Sequence, residues 1–192
     1  MARPGLRIIG GRLRGRRLPV PDLAGLRPTP DRVRETLFNW LQPVISGSRC
    51  LDLFAGSGAL GLEAYSRGAS EVVLVERANG LAKRLRTIAS DWQLDEVRIA
   101  HADALEWLER PPEAFDIVFL DPPYALGLLE PSCARLARGG WLGARAHVYL
   151  EAGSHADLPP LPAGWDLIRQ RQAGEVCYAL AETSRADASL LS

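Results

Sequence analysis

From Arg49 onward the chain alternates short apolar runs with amphipathic stretches, and this alternation constrains the fold more than any other feature. The segments "RCLDLFAG" (49–56), "EVVLVE" (71–76), "VRIAHAD" (97–103), "FDIVFLD" (115–121) and "AHVYLEA" (146–152) each have the length and composition of a strand. Helical patterns over about 59–67, 79–92, 105–109 and 128–137 separate them. The run at 115–121 is almost continuously apolar, as expected of a strand covered on both faces. Strands alternating with helices specify a mostly parallel, doubly wound α/β sheet. Two further runs, "WDLIRQRQ" (165–172) and "EVCYALAE" (175–182), surround Ala173-Gly174 and predict a hairpin that adds an antiparallel strand at one edge.

Three parts follow from this reading. Residues 1–28 mix Gly, Pro and Arg with short apolar pieces and suit an extended or hairpin-forming arm. Residues 29–182 form one domain, a length that supports a full hydrophobic core. Residues 183–192 are a polar, frayed tail. The domain opens with "TPDRVRETLFNWL", where Thr29 is the expected N-cap, Pro30 the first helical residue and Asp31 a partner for the helix dipole. Val33, Leu37, Trp40 and Leu41 share one face of that helix.

The formal net charge is zero, yet the charges are segregated. Residues 1–49 hold ten arginines against Asp22, Asp31 and Glu35, while the remaining residues hold thirteen basic side chains against twenty acidic ones. Such asymmetry points to one face that meets a polyanion. The three cysteines, Cys50, Cys133 and Cys177, lie far apart without a CxxC or His-Cys cluster, so no disulfide framework or zinc site is expected. No apolar run reaches spanning length, and the Arg-rich start has neither the apolar core of a secretory signal nor the serines of a transit peptide. A cytoplasmic location is the expectation.

Two motifs carry chemistry. In "DLFAGSGALGLEA", Gly56, Gly58 and Gly61 follow the first strand and open a helix in the pattern G-x-G-x-x-G. Glu76 ends the second strand 20 residues after Gly56, placed to accept ribose hydroxyls, and Asp103 ends the third, in reach of an adenine ring. These residues predict an adenosine cofactor; the glycine pattern alone does not separate a dinucleotide from S-adenosylmethionine.

The second motif, Asp121-Pro122-Pro123-Tyr124, follows the fourth strand. Each proline restricts the residue before it and lacks an N–H, so the turn is stiff. The Asp121 carboxylate and Pro122 carbonyl can then accept both N–H bonds of a planar amine beside the Tyr124 ring. That arrangement localises a lone pair that is otherwise delocalised into the aromatic system, and it suits attack on a sulfonium methyl. Asp121 can also take the departing proton. A nicotinamide oxidoreductase could use the same glycine turn, but His101, His147, His155 and Lys83 form no catalytic constellation. A non-catalytic RNA-binding module would not need the Asp121 turn.

The segments "RIIGGRLRGRRLPVP" (7–21), "GLRPTPDRVRETLFNWL" (25–41), "CLDLFAGSGALGLEA" (50–64), "LVE" (74–76) and "VFLDPPY" (118–124) resemble class I S-adenosylmethionine-dependent methyltransferases that modify exocyclic amines. More narrowly, the chain resembles the bacterial RsmD family, which methylates the 2-amino group of a guanine in 16S ribosomal RNA. The resemblance covers roughly residues 7–180. It implies a single Rossmann-like domain, with a seven-stranded, mostly parallel sheet, an antiparallel seventh strand and helices on both faces. It also implies that Asp121, Pro122 and Tyr124 are catalytic and that Thr29, Arg32, Asp52, Phe54, Gly56, Gly58, Glu76 and Asp103 bind the cofactor, without a metal. Arg7, Arg12, Arg14, Arg16 and Arg17 would neutralise RNA phosphates, and Pro123 and Tyr124 would meet an unpaired base turned into the pocket. The implied partner is 16S ribosomal RNA within a partly or fully assembled small subunit, met by a monomer. Many relatives carry an acid two positions after the ribose glutamate; here that position is Ala78. DNA adenine and protein glutamine methyltransferases use a similar turn and are the alternative, although no separate target-recognition domain for DNA is visible.

Overall fold

The computed structural model describes residues 6–18, 30–153 and 158–184. A short hairpin of β1 (Leu6–Arg7) and β2 (Arg17–Leu18) precedes α1 (Asp31–Leu41). There follow β3 (Arg49–Asp52), α2 (Ala59–Ser66), β4 (Glu71–Glu76), α3 (Asn79–Asp91), β5 (Val97–His101), α4 (Ala104–Trp107) and β6 (Phe115–Leu120). The chain closes with α5 (Leu129–Arg138), β7 (Leu142–Gly153), β8 (Trp165–Ala173) and β9 (Val176–Thr183). Thr29 lies outside the described residues, and Pro30 occupies the N-cap position instead of the first helical turn: its carbonyl accepts the N–H groups of Val33 and Arg34.

The seven large strands form one sheet in the order β5-β4-β3-β6-β7-β9-β8. The first five run parallel, and β9 is antiparallel to both neighbours. The seventh strand, β9, is antiparallel as the resemblance implies; it lies one place in from the edge, between β7 and β8, whereas the sequence pattern puts it at the edge itself. Composition explains the order. Tyr178, Ala179, Leu180 and Ala181 of β9 are buried, whereas Arg169, Gln170, Arg171 and Gln172 of β8 are exposed, which suits an edge. β9 also runs through Thr183, one residue into the expected tail, because that side chain is buried and its Oγ1 accepts the Ala146 N–H at 3.1 Å.

Successive strand residues feed opposite faces of the sheet, as the pleat requires. Cys50, Val72, Leu74, Phe119 and Tyr149 pack with α1, α2 and α3. Leu51, Val73, Val75, Val118, Leu120 and Leu150 pack with α4 and α5. On α1, Val33, Leu37 and Leu41 are buried as expected; Trp40 is half-buried and stacks on Tyr178, with ring centroids 5.5 Å apart.

The described part of the arm, residues 6–18, is docked on α2. Every residue of α2 is buried, including Glu63 and Ser66, because residues 8–13 cover the helix's outer face. The Glu63 carboxylate accepts the N–H groups of Ile9 and Gly10, both at 2.8 Å, and pairs with Arg67 at 2.7 Å. The Arg34 guanidinium, wholly buried in α1, lies 3.7 Å from Glu63 and donates to the Arg7 carbonyl at 3.0 Å. Gly11, at φ +74°, passes so close to the α2 C-terminus that a Cβ would fall 1.8 Å from the Ser66 carbonyl oxygen. Removing one partner from such a buried charge cluster leaves the others uncompensated. Glu63→Ala is therefore expected to cost about 3 kcal/mol or more in urea unfolding, and to speed tryptic cleavage between Arg12 and Arg17. An unchanged midpoint and cleavage rate would show that the arm is held by other contacts.

Candidate active site

The register of the parallel strands brings four strand ends to one level. Asp52 of β3 pairs with Leu74 of β4 and Phe119 of β6, and Leu120 pairs with Leu150 of β7. The glycine turn after β3 thus lies between Glu76 at the end of β4 and Asp121 after β6, and Glu151 stands beside Asp121. This is the edge at which open α/β sheets bind ligands.

Within the turn, Gly56 and Gly58 adopt φ +53° and +80°, and a Cβ on Gly58 would approach Leu85 Cδ2 to 2.6 Å. Gly61 is needed for a different reason: α2 crosses β4 so closely that a Cβ would meet Leu74 Cδ2 at 2.2 Å. Two acids brace the turn. The Glu76 carboxylate accepts the Gly56 N–H at 2.8 Å and the Ala78 N–H at 2.6 Å. Asp52 Oδ2 accepts the Gly61 N–H at 3.0 Å. Burial pushes the Asp52 carboxyl up to about 7, against the opposing pull of backbone N–H groups.

The other expected cofactor residues are less uniform. Phe54 is half-buried beside the turn. Asp103 Oδ1 accepts the Leu105 N–H at 2.9 Å and caps α4, so this acid has a structural task that its place in the sequence does not reveal. Arg32 is exposed on the first turn of α1. The set offers carboxylate acceptors at strand ends, an apolar ring, and a glycine backbone that a ligand can approach closely. These are groups that fit a nucleoside bearing an amino-acid tail, and S-adenosylmethionine has that chemistry. Among the described residues no cluster of His, Cys, Asp or Glu could hold a metal ion. Burial pushes the Cys50 and Cys133 thiols up to about 12, so both stay protonated.

At the Asp121 turn, Pro122 is buried, Asp121 is half-buried, and Pro123 and Tyr124 are exposed. Tyr124 begins a short 3₁₀ turn over Tyr124–Leu126 that ends at Gly127 with φ +59°. Tyr124 is 46% exposed, but its hydroxyl donates to Glu151 Oε1 at 2.7 Å. Tyr149, wholly buried, donates to Glu151 Oε2 at 2.6 Å. Burial and the nearby carboxylates of Glu151 and Asp121 raise the Tyr149 phenol well above its ordinary range. Neither Glu151 nor Tyr149 stands out from sequence alone. An acid interrupting the apolar run "HVYLEA" is the available signal.

Arg7, Arg12, Arg14, Arg16 and Arg17 are all exposed on the arm. The Arg12 guanidinium lies 3.7 Å over the Tyr65 ring and that of Arg16 lies 5.0 Å over Trp92, so these two also fasten the hairpin to α2 and α3.

A seven-stranded sheet in this order, with a glycine turn after its first large strand and an acid after its second, defines a class I methyltransferase fold. Residues 6–182 match the model of the family described as conserved hypothetical protein 95, which is the RsmD family expected from sequence. Ribosomal RNA small subunit methyltransferase D of Escherichia coli strain K12 is 48% identical over 175 residues, covering 91% of this chain and 88% of that protein. Its Haemophilus influenzae counterpart is 43% identical over 186 residues, covering 93% and 94%. The solved structure of Escherichia coli yhhF superposes with a TM-score of 0.88 at 44% identity, over 94% of this chain and 98% of that one. The chain belongs to this family.

The buried Asp52 carboxyl sets a pH dependence. Its folded value, about 7, lies above the ordinary 3.8, so the folded state holds the proton more tightly than the unfolded chain. The stability this provides is complete below about pH 4 and is lost as pH rises towards about 7. Asp52→Asn removes the titration. The stability difference between parent and variant, measured by chemical denaturation at several pH values, should fall by a few kcal/mol across that interval and level off above it. A flat difference would mean that Asp52 is ionised throughout.

Proposed function

We propose that this chain transfers a methyl group from S-adenosylmethionine to the exocyclic 2-amino group of a guanine in 16S ribosomal RNA. The observation that carries the reading is the stiff Asp121–Tyr124 turn, which stands at the carboxyl edge of the sheet beside the glycine turn. The names of the similar proteins support a small-subunit ribosomal RNA as substrate. The choice of guanine rests on the family resemblance carried by residues 7–41 and 118–124.

When bound, S-adenosylmethionine supplies an electrophilic methyl carbon on a positively charged sulfur. The chain's own residues do the rest. Glu76 and the Gly56–Gly58 backbone would hold the cofactor, with Asp52 behind the turn. The Asp121 carboxylate and Pro122 carbonyl would accept the two N–H bonds of the base amine, turning its lone pair out of conjugation. Tyr124 would flank the base. In the transfer a nitrogen–carbon bond would form as the carbon–sulfur bond breaks, leaving S-adenosylhomocysteine, and Asp121 or water would take the proton from nitrogen. The substrate would be a partly or fully assembled small subunit, met in the cytoplasm by a monomer through the arm's exposed arginines.

Asp121→Ala should reduce methyl transfer by about a hundredfold or more, with S-adenosylmethionine affinity by calorimetry essentially unchanged. Turnover equal to the parent's would defeat the proposed role of the turn. On the arm, replacing Arg14 and Arg17 by Gln should lower the slope of log affinity for ribosomal RNA against log salt by roughly 0.7–0.9 for each phosphate no longer neutralised. An unaltered slope would assign those arginines to another task.

A further inference from the structure

Tyr124 combines two properties that rarely occur together. The residue is 46% exposed, yet its hydroxyl is tied to Glu151, a residue only 3% exposed. Exposed tyrosines ordinarily exchange rotamers on the picosecond-to-nanosecond scale. Here the far end of the side chain is held by Glu151 Oε1 at 2.7 Å. Glu151 is itself held, because Tyr149 donates to Oε2 at 2.6 Å and the β7 backbone around it pairs with β9. The flank of the ring rests on Gly153, where an added Cβ would lie 3.3 Å from Tyr124 Cδ2. The register of β6 with β7 (Leu120 opposite Leu150) then fixes Glu151 beside Asp121.

We propose that Glu151 is a positioning residue for the acceptor base: it pins Tyr124 so that the ring forms a fixed wall next to Asp121. This rests on the reading of the Asp121 turn as the amine-methylating site. Two consequences follow. The Tyr124 hydroxyl is committed to Glu151, so the residue serves the base through its ring face and takes no part in proton transfer. The rotamer entropy of the tyrosine is lost on folding rather than on substrate binding, which lowers the cost of docking a base turned out of its stack. In this proposal Glu151 acts on the base through the Tyr124 ring.

A double-mutant cycle tests this. Tyr124→Phe, Glu151→Ala and the double variant are assayed for radiolabelled methyl transfer to small ribosomal subunits from cells lacking the protein, with S-adenosylmethionine affinity measured by calorimetry. Tyr124→Phe keeps the ring and removes only the tether, and should lower kcat/KM about two- to tenfold at unchanged cofactor affinity. The loss caused by adding Tyr124→Phe to Glu151→Ala should vanish, because the tether is already gone. Additive losses, or a Tyr124→Phe variant as fast as the parent, would overturn the positioning role. Should Glu151→Ala fail to fold, Tyr124→Phe alone decides, since its hydroxyl is the only group removed. Absence of transfer by the unaltered protein to both subunits and free 16S RNA would overturn the reading of the site, and this proposal with it.

Discussion

The parallel register of β4, β3, β6 and β7 is the constraint on which the site depends. Where they pair, these strands are buried on both faces, so the slide of each along its neighbours is fixed by which apolar residues must point into which half of the core. A slip of one residue would exchange Cys50 with Leu51, or Phe119 with Val118, between the two faces. Because that slip is forbidden, the groups that follow the strands are fixed as well. Glu76, the Gly56 turn, Asp121 and Glu151 emerge side by side without any contact having to be selected for that purpose. The apolar core sets the positions, and the polar residues at its rim are those proposed to supply the chemistry.

Buried carboxylates do a second kind of work in this molecule. Glu63 and Glu151 are almost fully enclosed, and each uses both oxygens: Glu63 on the arm's backbone and Arg67, Glu151 on two phenols. Desolvating a carboxylate costs several kcal/mol, and its hydrogen bonds repay that cost at best in part. Neither group is therefore well explained as a source of net stability. What each achieves is position: one seats the basic arm on α2, the other holds Tyr124 over Gly153. An apolar residue in either place could fill the space but could not fix an angle.

The fold was legible because its strands are marked by apolar runs and its turns by glycines and prolines, signals that depend on near neighbours in sequence. The hairpin arm, the Gly56 turn and the position of Asp121 after β6 came from such local marks. Strand order beyond the parallel core was not legible: "EVCYALAE" and "WDLIRQRQ" predict a hairpin, but their pairing with β7 depends on relative polarity across the sheet. Arg34, Glu63 and Glu151 were missed for a related reason. A charged residue on an amphipathic pattern reads as solvent-facing until the element covering it is known, and those partners lie 27 to 54 residues away. Asp103 shows the converse limit. Its place at a strand end matches a ligand-binding acid and a helix N-cap equally well, and only the geometry of α4 reveals the capping bonds.

An acidic edge at the proposed active site raises a physical difficulty for any polyanionic substrate. Glu76, Asp103, Asp121 and Glu151 gather at one rim of the sheet, and phosphates approaching that rim unaided would be repelled. The arginines that could offset this repulsion must not collapse onto the acids and neutralise them. Anchoring the arm to the C-terminal half of α2 meets that demand. That helix begins directly after Gly58, so the hairpin fastened to Glu63 and Ser66 is tied rigidly to the same turn that positions the proposed cofactor site. The cation–π contacts of Arg12 with Tyr65 and of Arg16 with Trp92 spread the arm's charge over α2 and the end of α3, away from the carboxyl rim. The charge segregation visible in the sequence is thus maintained in three dimensions by packing, and a rigid mount accounts for it where a flexible basic tail would not.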